Sequence, residues 1–244
     1  MRNLRLDLCY DGTRYRGFQR LSDTENTIQG KLEAVLTRLL DEPVSVSGSG
    51  RTDAGVHAAH QIVSFHCRSG MDRSALLDGL RRYLPEDIGV YSCVEAPERF
   101  HARLNARQKT YRYRIWNSTL PCVFERRFVA VRPEALDMAA MEQAAACFLG
   151  EHDFSAFCSQ KPGKKSTVRR IDALTLERKG PELQITVTGN GFLYNMVRIL
   201  VGTLLEVGDG QRNPDSIPAL FGGKRAQAGF LAPPQGLCLM EVTY

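Results

Sequence analysis

No apolar run in the sequence approaches the roughly 18 residues that a membrane span needs, and the opening MRNLRLDLCY alternates without the apolar core of a signal peptide. Both absences lead to the expectation of a cytoplasmic protein. Cysteine pairing is missing too. The seven cysteines (Cys9, Cys67, Cys93, Cys122, Cys147, Cys158 and Cys238) are scattered without a C-x-x-C pair and are odd in number, so neither a zinc ribbon nor a disulfide framework fits. Most stand in apolar stretches, where a free thiol packs as a small hydrophobe. A phosphate-cradling P-loop is also lacking, because PGKKS at 162–166 does not have the G-x-x-x-x-G-K-[ST] spacing. Low-complexity tracts and long linkers are absent.

Lysine is scarce: of 32 basic residues only seven are lysine and 25 are arginine. The planar arginine fork pairs bidentately with phosphate and stacks on bases, which suits a nucleic-acid partner. A GC-rich coding sequence produces the same bias, and placement separates the two. Basic residues gather in RYRGFQR (14–20), ERFHARLNARQKTYRYR (98–114) and KPGKKSTVRR (161–170), the first two interleaved with aromatic residues. Interleaving sets phosphate contacts beside stacking surfaces. Three such runs favour an RNA or DNA path over a merely solvated face.

At 244 residues, 43% hydrophobic and 24% charged, the chain is long enough for one large domain or two fused halves. Leu4, Leu6, Leu8 and Tyr10 alternate as in a half-buried strand, whereas Ile28, Leu32, Val35, Leu36, Leu39 and Leu40 share one helical face, with Asn26 and Gln29 spaced like a capping box. The same patterns predict strands over 43–47, 60–67, 88–95, 109–116, 168–177, 182–188 and 237–244. Helices are predicted over 73–84, 133–149 and 192–207. This mixture of helices and short turns between strands implies a mixed α+β sheet with helices on one face, and the rise in charge density places a boundary near 96–108.

The densest chemistry lies in SGSGRTDAGVHA (47–58), an arginine, a threonine, an aspartate and a histidine set among glycines. A metal site built from Asp53, His57 and His60 lacks a distant cluster to complete the shell. A plain turn would use the glycines for positive φ and Asp53 as a cap. A catalytic loop would present Asp53 beside Arg51, a lone carboxylate among arginines acting as nucleophile or base. That third reading needs the carboxylate to stay ionised, and so needs an opposite charge near it. Arg198, inside the apolar GNGFLYNMVRILVG (189–202), is a candidate, since a charge in such surroundings is rarely buried unless paired. Its alternative is to reach out to solvent.

GRTDAGVHA (50–58), with YDGTRYRGFQR near the start, FHARLNARQKTYRYRI (100–115), GFLYNMVRILVG (191–202) and the closing GLCLMEV (236–242), resembles the tRNA pseudouridine synthase A family, in order and over nearly the whole chain. The resemblance implies isomerisation of uridine to pseudouridine in the anticodon stem-loop of tRNA, without cofactor or metal. It implies that Asp53 is the catalytic residue, that Arg51 helps hold the target nucleotide out of the stack, that Tyr111 packs on the flipped base, and that Arg198 pairs with the aspartate. Phe100, His101 and Arg103 of FHARL match a tRNA-contacting segment, with Arg103 as the phosphate partner. Lys164, Lys165 and Arg169 are assigned to tRNA on charge alone. The implied fold is α+β, two similar halves (1–104 and 105–244) sharing a continuous, mostly antiparallel mixed sheet with helices packed on one face. The implied assembly is a homodimer in which one tRNA touches both subunits. Two positions depart from the family: Phe18 stands where tryptophan is usual, and His60 where glycine precedes the glutamine.

Overall fold

The computed structural model describes residues 1–159 and 166–244, and its contacts divide the chain into two compact units, Met1–Arg107 with Cys238–Tyr244, and Gln108–Leu237. Both units are α+β. Ten strands and four α-helices occur among the described residues, and most strand pairs are antiparallel.

In the first unit, β1 (Arg2–Tyr10) lies between β3 (His57–Cys67) and β4 (Ile88–Glu95), antiparallel to both, and β10 (Leu237–Thr243) joins β3 in parallel through Cys238 and Leu239. The alternation in β1 does what its period dictates: Leu4, Leu6 and Leu8 are fully buried while Arg5, Asp7 and Cys9 stay half-exposed on the other face. The buried face shares a core with Ile28, Leu32 and Leu36 of α1 (Ile28–Leu40) and Leu76 and Leu80 of α2 (Arg73–Tyr83). Each such side chain contributes about 1.5–3 kcal/mol on burial.

Two local predictions are corrected here. The cap of α1 is Thr27, whose Oγ1 accepts from the Gly30 N–H at 3.1 Å. Asn26 instead ties down the preceding segment, its side-chain amide donating to Arg14 O (2.6 Å) and its carbonyl accepting from Arg16 N–H (2.9 Å). The strand predicted over 43–47 shrinks to β2 (Ser47–Gly48). Pro43 has no N–H to give a ladder, and the Val44 and Val46 N–H groups donate to Thr37 Oγ1 and Glu33 Oε1 of α1 instead of to a strand.

In the second unit, β9 (Glu182–Gly189) runs antiparallel between β5 (Gln108–Trp116) and β8 (Val168–Lys179), β7 (Gly150–Asp153) extends the order beyond β8, and β6 (Ala130–Val131) pairs with β5 in parallel. Two helices start later than the pattern predicts. α3 (Met138–Ala146) begins where Asp137 accepts from the Ala140 N–H, so 133–137 stay outside it. α4 (Met196–Gly208) begins after Asn195, whose φ of 63° cannot continue a right-handed helix. Almost every residue of α4 is buried, as its largely apolar sequence dictates. No helix among the described residues is long and apolar enough to cross a membrane.

Candidate active site

Asp53 sits half-buried in the turn between β2 and β3. That turn is supported from beneath by buried polar groups. The Gln61 amide donates to Gly50 O (2.8 Å) and to Tyr10 Oη (3.3 Å), its carbonyl oxygen accepts from Ser49 Oγ and from the Gly50 N–H, and Tyr10 Oη bonds Thr52 Oγ1 at 2.8 Å. Gln61 and Ser49 are fully buried, so each bond replaces water that is not there and would cost about 1–3 kcal/mol to orphan. Burial also pushes the Tyr10 phenol far above its ordinary pKa, against the pull of Thr52 and Gln61. It is a neutral strut at any working pH.

The segment 11–18 closes the turn from the side. Phe18 N–H donates to Thr52 O (3.0 Å), Gly55 N–H to Tyr15 O (3.4 Å), and Gly12 N–H to the Nδ1 of buried His57 (3.0 Å). Gly12 passes so close that a Cβ there would lie 2.0 Å from Val56 O, which only glycine avoids. Asp87 anchors this segment in turn, accepting from Arg14 at 2.7 Å and from the Tyr15 hydroxyl. The motif near the start of the chain is thus the wall of the aspartate turn. Phe18 lies buried against Gly48 and 6.5 Å from the Tyr10 ring, filling the space under the turn with its single ring.

Arg51 is exposed, and desolvation followed by the charge of Arg103 lowers its pKa. Arg103 follows Ala102, whose N–H donates to Ser64 Oγ, and Ser64 is the register partner of Ser47 on β2, four residues before Arg51. An exposed guanidinium of this kind takes a phosphate by its fork. Phe100 and His101 stand on the same segment as Arg103: the Phe100 ring lies 5.0 Å from that of Tyr244, and His101 Nδ1 accepts from the Arg103 N–H at 3.1 Å. His101 thus shapes the backbone that carries Arg103.

Of the metal alternative, His57 uses Nδ1 as an acceptor, and His60 turns to the surface, where it lies 3.2 Å from Asp7 and 5.1 Å from the Tyr91 ring. Among the described residues no group of three or more His, Cys, Asp or Glu side chains is placed to hold a metal ion.

In the second unit Tyr111 lies buried on β5 opposite Val187, its ring edge-on to Phe192 at 5.3 Å. Arg198, in the first turn of α4, is half-buried. Its Nε donates to Ala232 O (2.7 Å) and Nη1 lies 3.3 Å from Asn195 Oδ1. The carbonyl of Ala232 is delivered by a segment that runs against α4, where Gly202 permits an approach that a Cβ, 1.9 Å from Phe230 O, would forbid. The charge of Arg198 also works on Tyr113, whose pKa burial raises and the guanidinium draws back down. Arg169 is half-buried with Nη1 donating to Ser166 O and Val168 O, and desolvation lowers its pKa. Lys164 and Lys165 lie outside the described residues.

The family model for tRNA pseudouridine synthase matches residues 9–105 and 144–244. The chain belongs to the tRNA pseudouridine synthase family. It is 45% identical to the tRNA pseudouridine synthase A of Geotalea uraniireducens (strain Rf4), 44% to that of Brevibacillus brevis and 43% to that of Bacillus sp. (strain KSM-64), each over the whole length of both chains. Among solved structures, a chain of a Cbf5-Nop10-Gar1 complex is similar at a TM-score of 0.41 and 11% identity, over 97% of this chain and 48% of that one, a likeness too remote to add weight. Family membership makes the aspartate turn the centre of interest. What the sequence pattern missed is its support: Gln61 and Asp87 carry no motif of their own, and Tyr10 and Gly12, though inside YDGTRYRGFQR, show their supporting role only by the atoms they hold.

Proposed function

We propose that the protein is a tRNA pseudouridine synthase that isomerises uridine in the anticodon stem-loop of tRNA, with Asp53 as its catalytic residue. The observation that carries the reading is the Asp53 turn itself, a carboxylate on a hydrogen-bonded support with the exposed Arg51 two residues before it.

The reaction breaks the bond from ribose C1′ to N1, turns the base, and joins C1′ to C5, while the C5 proton leaves and N1 gains one. Nothing is oxidised and no group is imported, so the chemistry calls for a base or nucleophile and no cofactor. An ionised Asp53 serves as nucleophile or as the base that takes a ribose proton. Arg198 is assigned to keep that carboxylate charged, since an opposite charge lowers an aspartate's pKa. Extracting the target base costs a few kcal/mol, and stacking on an aromatic ring returns about 1–3 kcal/mol. Tyr111 is assigned that face, with Arg51 and Arg103 holding the backbone beside the displaced nucleotide and Phe100, His101 and Arg169 lining the path. The reading extends to a homodimer sharing one tRNA and to a cytoplasmic setting, both supported by the family resemblance.

The test is incubation of purified protein with unmodified tRNA transcripts in EDTA, followed by pseudouridine mapping. Pseudouridine confined to the anticodon stem-loop is the expected product. Bound but unmodified tRNA, or product that vanishes with chelation, would refute the reading.

A further inference from the structure

Arg103 stands on residues 97–105, a stretch with no strand or helix of its own. Its backbone is tied down instead. Asn3 Nδ2 donates to Pro97 O and Phe100 O, both at 2.8 Å, and Ser64 Oγ accepts from the Ala102 N–H at 3.0 Å. Tyr244 is a further tie. Its hydroxyl donates to Ala102 O at 2.8 Å, its ring packs 5.0 Å from Phe100, and the Arg5 guanidinium lies 5.3 Å from the ring centroid. Burial pushes this phenol up to about 12, opposed by the charge of Arg5.

Ser64, which the Ala102 N–H reaches, is the register partner of Ser47 on β2, four residues before Arg51. The stretch that Tyr244 ties down therefore lies beside the strand that leads into the aspartate turn.

Resting on the function proposed above, we infer that Tyr244 is a positioning residue for substrate: it fixes the backbone of the segment that carries Arg103, so that this guanidinium is held in place to grip the RNA backbone. It acts through Arg103 and touches no reacting atom. The chain's own catalytic step is left to Asp53, which makes the two separable by kinetics.

Tyr244→Phe keeps the ring contacts and removes only the hydroxyl. With the full chain and an unmodified tRNA transcript it should raise KM about three- to tenfold with kcat unchanged, the scale of one lost hydrogen bond. On an Arg103→Ala background it should add little, since residues acting through one contact are not additive. Tyr244→Leu, which also loses the Phe100 and Arg5 contacts, should raise KM further and flatten the salt dependence of tRNA binding by about one phosphate contact. A wild-type KM in Tyr244→Phe, a full additive loss on top of Arg103→Ala, or a fall in kcat at constant KM would each overturn the inference. Wild-type protein that makes no pseudouridine would refute the function instead, and the same double-mutant comparison read from tRNA Kd values would still decide the role of Tyr244.

Discussion

Residues 49–57 rest on individual polar contacts, from Gln61, Tyr10, Gly12 and the 15–18 backbone, whereas α4, which carries Arg198, is buried on nearly every side by apolar groups. The first arrangement specifies one backbone geometry, because each donor has a named acceptor and is costly if orphaned. The second supplies bulk stability and tolerates volume-conserving change. Damage beneath the turn should therefore appear mainly in catalysis, and damage against the helix mainly in folding.

The two close approaches make the sharpest contrast. Gly12→Ala drives a Cβ into Val56 O and displaces the turn; misplacing a catalytic group by an ångström costs about 100-fold in rate, so kcat should fall by that order with a modest change in melting. Gly202→Ala drives its Cβ into Phe230 O and should cost about 3 kcal/mol of stability by overpacking, read by chemical denaturation. If Gly202→Ala proved the gentler to stability and Gly12→Ala the gentler to turnover, the comparison would be broken.

Gln61→Leu is the next step down. It strips partners from Gly50 O, Ser49 Oγ and Tyr10 Oη and should lose about 1–3 kcal/mol together with most activity; full activity at the lower stability would show that the support does not position Asp53. Arg198→Met tests the role assigned to the guanidinium. Removing a cation that favours the ionised aspartate should move the acid limb of the pH–rate profile upward by about one unit or more, and an unmoved limb would dismiss that role.

The smallest effect is expected on β9, at Glu182. Its hydrogen bond with Arg114, at 2.7 Å, and the Arg114 charge hold its pKa below the ordinary carboxylate range. A depressed carboxylate contributes stability that is present above its unfolded pKa and is lost as pH falls through the folded one. Glu182→Gln should therefore cost under about 1 kcal/mol near neutrality, since the pair is partly solvated, and should weaken the acid dependence of unfolding below pH 4.5. An unchanged acid transition would show that the pair contributes nothing.

Much of the fold was legible because its strands alternate cleanly: β1, β4, β5, β8 and β9 fall close to where the period puts them. The family was legible from GRTDAGVHA and the four motifs around it. Short elements were not, because β6 and β7 are too brief to show a period. Helix starts slipped where a single side chain decided them, Thr27 and Asp137 by capping and Asn195 by its left-handed backbone. The site divides in the same way. Asp53, Arg51 and Arg103 announce themselves by residue type, but Gly12 and Gln61 matter through atoms about 40 and 10 residues away in the chain, and no local pattern encodes a contact of that kind. Phe18 is read as a substitution in the sequence and as a close-packed floor in the structure.

The most direct test of the account measures single-turnover product formation and tRNA binding side by side for wild type and Asp53→Asn. The account predicts that the variant makes no detectable pseudouridine while its tRNA affinity stays within about twofold of wild type, because the binding charges lie on Arg51, Arg103 and the basic runs. Product at a near-normal rate from Asp53→Asn would contradict it.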